Sequence, residues 1–258
     1  MIIKGAEPYS ADAGPLGVLV LHGFTGNPGS MRGLAKALAG AGYGVELPLL
    51  PGHGTEVADM IDLGWGDWLG AAEQALAHLA SRCARVAVAG LSMGGSLACA
   101  LAIRHPEIAC LVLVNPLVQV PHEEFRRVVR ETLASGTQVF PGIGSDIAFP
   151  GVVESAYPET PLRALLSLFE GVESFSADLG SIACPILLFS SRQDHVVPSE
   201  SGDLLVQSAG TSVERVWLDR SFHVATLDFD RQVIEDGALD FVNRYLSGQE
   251  RSAALVNE

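Results

Sequence analysis

The stretch "AVAGLSMGGSLA", residues 87–98, passes from an apolar run to a glycine-crowded turn with one serine, Ser92, at the break. Arg85–Gly90 reads as a buried strand that ends at Gly90-Leu91-Ser92-Met93-Gly94, and Met93 opens a run of helical period to Arg104. The bare G-x-S-x-G pattern is weak evidence. With 28 glycines in 258 residues, about 0.2 matches arise by chance. Its placement between strand and helix is the stronger signal. A residue on so tight a turn is held in a strained backbone conformation, and its side chain stands above the sheet. Such a turn closes only if Gly90 and Gly94 carry no side chains. It also aims a helix N-terminus, with its partial positive charge, at the serine hydroxyl.

Outward from this turn, five further runs are continuously apolar: Gly17–Leu21, Tyr43–Leu47, Cys110–Asn115, Pro185–Ser191 and Val213–Leu218. Unbroken apolarity is what strands covered on both faces require. Helical patterns lie between them. Met31, Leu34, Ala35 and Leu38 share one face, with Asn27 as N-cap and Pro28 at the first helical position. Residues 65–79, 199–209 and 230–246 read as further helices. The alternation predicts an α/β fold with a mostly parallel, doubly wound sheet. Residues 116–178 break the rhythm with a charged amphipathic stretch, a Gly/Pro-rich loop and a short helix. This reads as a small helical cap inserted at the carboxyl edge of the sheet, between core segments 1–115 and 179–258.

A serine hydroxyl needs a base to become a nucleophile. Of the seven histidines, His78, His105 and His122 read as surface or packing residues on helices. His53, among Pro51, Gly52, Gly54 and Thr55, reads as a loop-shaping residue, and His22 as a support for the loop beside it. His223 follows the last strand run, and Asp194 follows the one before it. Chain order serine, acid, histidine is met by Ser92, Asp194 and His223, each at the carboxyl end of a different strand. His195 is then a bystander, and Asp219 and Asp228 are rival acids next to His223 in sequence. The oxyanion formed on a carbonyl needs two backbone donors. Met93, after the nucleophile, supplies one. The loop "LHGFTG", residues 21–26, supplies the other through Phe24, with Gly23 permitting the bend.

The net charge of −14, from 16 Lys+Arg against 30 Asp+Glu, repels phosphate backbones and anionic membranes and argues against a nucleic-acid partner. Cys83, Cys99, Cys110 and Cys184 show no paired spacing and read as free core thiols. An N-terminus without an apolar signal core, and apolar runs too short to span a bilayer, predict a cytoplasmic protein without stable membrane insertion.

Taken together, "LHGFTG", "PGHG", "GLSMGG", "DHVVP" and "HVATLD" resemble the α/β-hydrolase family, and most narrowly the bacterial monoacylglycerol lipases and their carboxylesterase relatives. "GSDIAFPGVVESAYPETP", residues 144–161, is similar to a segment of that group's small cap. The resemblance implies a serine esterase acting on fatty esters, most narrowly monoacylglycerols. Its triad would be Ser92, Asp194 and His223, its oxyanion donors Phe24 and Met93. Ile143 and Glu154 would line the alcohol pocket, with the glutamate on the glycerol hydroxyls. The chemistry calls on no metal and no organic cofactor. The partner is a small lipid or ester substrate, with transient lipid contact through the cap. An acyltransferase built on the same acyl-enzyme, and a ligand receptor on the same scaffold, are the alternatives. The first part of the cap, "QVPHEEFRRVVRETLASG", departs from the group's pattern.

Overall fold

The computed structural model describes residues 1–247; the last residues of the expected second core segment, 248–258, lie outside the described part. Its centre is a seven-stranded sheet built from β1 (Tyr9–Ala11), β2 (Leu16–Leu21), β3 (Gly44–Leu47), β4 (Arg85–Leu91), β5 (Leu111–Val114), β8 (Ile186–Ser191) and β9 (Val213–Leu218). The spatial order is β1-β3-β2-β4-β5-β8-β9. All neighbours run parallel except β1, which pairs antiparallel with β3 through Tyr9–Leu47 and Ala11–Val45. This short edge strand has no apolar run in the sequence to betray it.

The unbroken apolar runs have the cause expected of them. Leu19 and Leu21 of β2 point into one core and Val18 and Val20 into the other; on β4, Val86 and Val88 oppose Ala87 and Ala89 in the same way. One core is closed by α2 (Trp65–Ala80), α3 (Met93–Arg104) and α6 (Ser199–Ser208), the other by α1 (Arg32–Gly40) and α7 (Arg231–Leu246). On α2 the buried residues Trp65, Trp68, Leu69, Ala72, Leu76 and Leu79 trace one helical stripe. Asn27 does cap a helical start, its Oδ1 accepting from Gly29 N at 2.9 Å, but the turn that follows, Pro28–Met31, is 3₁₀ and α1 begins only at Arg32. All four cysteines are buried and free.

Residues 116–178 contain α4 (Glu123–Ala134), β6 (Val139–Pro141), β7 (Glu159–Pro161) and α5 (Leu162–Ser176). The antiparallel β6–β7 pair, with Phe140 opposite Thr160, leaves no trace in the sequence pattern because each strand is only three residues long. The helix expected to be short runs for 15 residues and buries Leu168, Phe169, Val172 and Phe175 against the core that α2 and α3 share. Among the described residues no helix is long and apolar enough to cross a membrane.

Candidate active site

The turn after β4 has the strain its sequence demands. Ser92 sits at φ 54°, ψ −118°, immediately before α3. A Cβ on Gly90 would overlap the carbonyl of Gly94 and stand 2.6 Å from Gly95 N. One on Gly94 would overlap the carbonyl of Leu21, at the end of β2, and stand 2.8 Å from His22 O. The two glycines therefore serve two different closures. Gly90 lets the turn fold onto its own helix, and Gly94 lets that helix approach the neighbouring strand. A non-glycine residue at such a φ is uncommon and costs of order 1–3 kcal/mol, which the surrounding packing must hold in place.

The loop after β2 passes directly over this turn. A Cβ on Gly23 would lie 3.4 Å from Ser92 Cβ. The sharp bend expected at Gly23 occurs instead at Thr25, which takes φ 61°. A contact of 3.4 Å is ordinary van der Waals packing, so Gly23 brings the loop against the serine without being required by the turn. Neither Phe24 N nor Met93 N donates to another protein group among the described residues, and Phe24, Thr25 and Ser92 line one cavity. His22 holds the loop from beneath. Its Nδ1–H donates to Gly23 O at 3.0 Å and its Nε2 accepts from Leu50 N at 3.1 Å. Burial, with the His53 ring beside it, lowers the His22 pKa to about 3 against the pull of the Gly23 carbonyl. His53 is buried too, and burial lowers its pKa to about 4. Its Nδ1–H donates to Pro51 O at 3.0 Å, and its ring meets His22 and Trp68 edge-on. Both rings are neutral props, well away from a proton-transfer role at ordinary pH.

His223 is buried and shares the cavity with Ser92. Its Nδ1–H donates to Asp194 Oδ2 at 2.8 Å, which leaves Nε2 as the free ring nitrogen. No hydrogen bond joins the imidazole to the Ser92 hydroxyl in this structure. The other oxygen of Asp194 accepts from Val196 N and Val197 N, each at 2.8 Å, so the carboxylate is fixed by its own loop. Burial acts most strongly on His223 and favours the neutral ring. The charge and hydrogen bond of Asp194, with the charges of Glu154 and Asp146, outweigh it, and the pKa is raised above the usual histidine value. The rival acids are otherwise engaged. Asp219 pairs with Arg192 at 2.7 Å on the surface. Asp228 is fully buried and accepts from the backbone amides of Ala148, Phe149, Phe222 and Phe229 at 2.7–2.9 Å.

The cavity has a volume of about 400 Å³. Leu117, Phe125, Phe140, Leu165, Leu168 and Phe169 make an apolar wall, and all six come from the 116–178 segment. Ile143 lines the cavity from its rim, where it is 70% exposed. Glu154 lies deeper. A Cβ on Gly26 would stand 2.7 Å from its Oε1, so the carboxylate rests against the loop that carries Phe24. Burial raises the Glu154 pKa, opposed by the positive charge of His223 and the nearby Ser30 hydroxyl. The 154–157 segment is stitched to that loop: Tyr157 N donates to Thr25 O at 3.0 Å, and Asn27 Nδ2 donates to Ser155 O.

Two residues that brace the His223 loop carry no role in the sequence reading, although Asp146 falls within the cap-like stretch 144–161. Asn115, at the end of β5 with φ 44°, donates through Nδ2 to His223 O at 2.8 Å and to Ser191 Oγ at 3.0 Å, and accepts from Ser191 N at 2.8 Å. It fastens the His223 loop to the ends of two strands. Asp146 accepts from His223 N at 3.0 Å and from His195 Nδ1 at 2.8 Å. His195, beside Asp194 in sequence, is occupied there.

Residues 18–236 match the model of the alpha/beta hydrolase family. Over 248 residues the chain is 42% identical to a thermostable monoacylglycerol lipase of Bacillus sp. (strain H-257), spanning 95% of this chain and 97% of that one. It is 25% identical over 246 residues to a carboxylesterase of Bacillus subtilis (strain 168), spanning 95% and 99%. A solved chain from work on the metagenome-derived lipolytic enzymes LipS and LipT superposes with a TM-score of 0.89 at 39% identity, covering 95% of this chain and 100% of that one.

Proposed function

The chain belongs to the alpha/beta hydrolase family and is a lipase or esterase within it; on that premise we propose that it hydrolyses monoacylglycerols through a Ser92–His223–Asp194 acyl-enzyme mechanism. The observation that carries the reading is His223, which faces one cavity with a serine on a strained turn and is held from behind by the buried Asp194 carboxylate at 2.8 Å. As substrate enters, Ser92 Oγ closes on His223 Nε2, since such contacts tighten in the substrate complex. His223 takes the hydroxyl proton while Oγ attacks the ester carbonyl, and Asp194 steadies the imidazolium that results. Phe24 N–H and Met93 N–H receive the oxyanion, and the N-terminus of α3 adds its partial charge. The protonated His223 then gives its proton to the departing alcohol. Water, activated by the same ring, frees the acid.

In this reading residues 116–178 are the cap, whose apolar wall takes the acyl chain, and Glu154 accepts hydrogen bonds from the glycerol hydroxyls. The 42% identical relative supports the monoacylglycerol assignment. A fluorophosphonate probe should label the protein and fail to label Ser92→Ala; labelling that survives removes Ser92 from the mechanism. Glu154→Leu should slow monoacylglycerol turnover more than turnover of a p-nitrophenyl ester. Equal slowing takes the glycerol contact away from Glu154.

A further inference from the structure

We propose that Asp146 is a positioning residue for the base: one carboxylate in the cap clamps together the loop that carries His223 and the loop that carries Asp194. The inference rests on the reading of His223 as general base. Asp146 Oδ2 accepts from the backbone amide of His223 at 3.0 Å and from the backbone amide of His195 at 3.2 Å. Oδ1 accepts from His195 Nδ1 at 2.8 Å. The Asp146 carbonyl accepts from Val224 N at 3.1 Å. The side chain is only 12% exposed and lines the cavity.

The geometry gives this carboxylate a task that Asp194 does not perform. Asp194 orients the imidazole ring, while Asp146 holds the backbones on which both ring and orienter stand. The residues it ties are His223 itself and the immediate neighbour of Asp194. Two loops from separate strand ends are set to one distance by a single charged acceptor that belongs to neither. The contact runs from cap to core, so the cap's seating on the core and the alignment of the base are one event. A ring displaced by about 1 Å forfeits on the order of a hundredfold in rate, because proton transfer needs hydrogen-bond geometry.

The same carboxylate adds to the negative charge around His223. Asp194 faces the ring from the loop after β8, and Asp146 and Glu154 face it from between β6 and β7. Asp146 itself is met by His195 and His223. Losing the Asp146 charge lowers the His223 pKa, so the acid limb of kcat/KM moves to lower pH.

The test is a set of variants assayed on p-nitrophenyl esters across pH, with thermal melts. Asp146→Asn keeps the shape but removes the charge: its amide oxygen faces the two backbone amides in bonds that are no longer charge-assisted, and its NH2 faces His195 Nδ1. We expect kcat to fall at least about tenfold, KM to change little, and the acid limb to move down. Asp146→Glu keeps the charge on a longer stem; kcat should fall with the acid limb in place. Asp228→Asn is the structural control, since Asp228 joins the same two segments through two amides of each, Ala148 and Phe149 on one side and Phe222 and Phe229 on the other; it should lower the melting temperature with the acid limb unmoved. Wild-type kcat in Asp146→Asn overturns the proposal. So does a loss of kcat with an unmoved limb that matches Asp228→Asn. If Asp146→Asn does not fold, wild-type kcat in Asp146→Glu overturns it. His223→Ala separates the two readings: full activity there refutes the base assignment, while an inactive His223→Ala beside a wild-type-like Asp146→Asn refutes only the clamp.

Discussion

Replacing Gly94 with alanine adds one methyl group to α3, and the structure sets two opposed effects against each other. Alanine is the better helix former by about 0.8–1.0 kcal/mol, and Gly94 has an ordinary helical φ, so on propensity alone the change stabilises. Against this, the new Cβ would overlap the Leu21 carbonyl oxygen, with Leu21 C at 2.6 Å and His22 O at 2.8 Å. All three atoms are backbone, so no side-chain rotation relieves the overlap. Either α3 withdraws from β2 or the end of β2 yields. Overpacking of this kind costs typically 1–3 kcal/mol and more where backbone must move. Taking about 3 kcal/mol for the overlap leaves a net loss of about 2 kcal/mol. For a domain of this size that lowers the melting temperature by about 4–8 °C. The functional loss should be larger than the stability loss. The displaced backbone carries Ser92 and Met93 on one side and the loop bearing Phe24 on the other, and a misplacement of about 1 Å costs about a hundredfold. Circular dichroism melts and p-nitrophenyl ester kinetics on the purified variant measure both. A Gly94→Ala protein with unchanged melting temperature and unchanged kcat would refute the reasoning, and with it the view that helix and strand must touch to build this turn.

Asn115→Ala leaves the buried Ser191 amide and His223 carbonyl without their partner and should cost about 2–4 kcal/mol, with kcat falling more than KM rises. Wild-type kcat in that variant would show that the other ties of the His223 loop suffice. Stability should also fall on mild acidification. His22 and His53, with folded pKa values of about 3 and about 4 against an ordinary 6.5, stay neutral in the native state while the unfolded chain takes up protons. The slope of stability against pH is therefore positive in this window, and their contribution is lost as pH falls below 6.5. Between pH 6.5 and 5 the two together account for up to about 3 kcal/mol. His223, with its raised pKa, acts in the opposite sense: its contribution is present below the ordinary value and lost as pH rises through the higher folded one. Urea melts at pH 7, 6 and 5 read the balance, and a flat profile would contradict the burial of the two neutral rings.

Much of this protein is written in short-range patterns. Burial on both faces of a sheet leaves continuous apolar runs, so Leu16–Leu21, Arg85–Leu91 and Ile186–Ser191 show themselves as strands. A strand turning at once into a helix requires glycines at fixed spacing, so Ser92 stands out within five residues. Strand ends at one edge of a parallel sheet are neighbours by topology, so Asp194 and His223 are expected side by side from where their strands stop, and they meet at 2.8 Å. These features depend on local sterics and periodicity, and the residues alone determine them. The contacts that hold the site together have no such period. Asp146 meets His223 across 77 positions, Asp228 meets Ala148 across 80, and Asn115 meets His223 across 108. Each is a single polar side chain in a segment of irregular backbone, where no repeat marks it and Asp or Asn is commonplace. The same holds for β1 and for the β6–β7 pair, three residues per strand and too short to alternate visibly. Their roles follow from hydrogen-bond donors that only the folded chain places in front of them, and tertiary structure alone decides which acidic residue answers which amide.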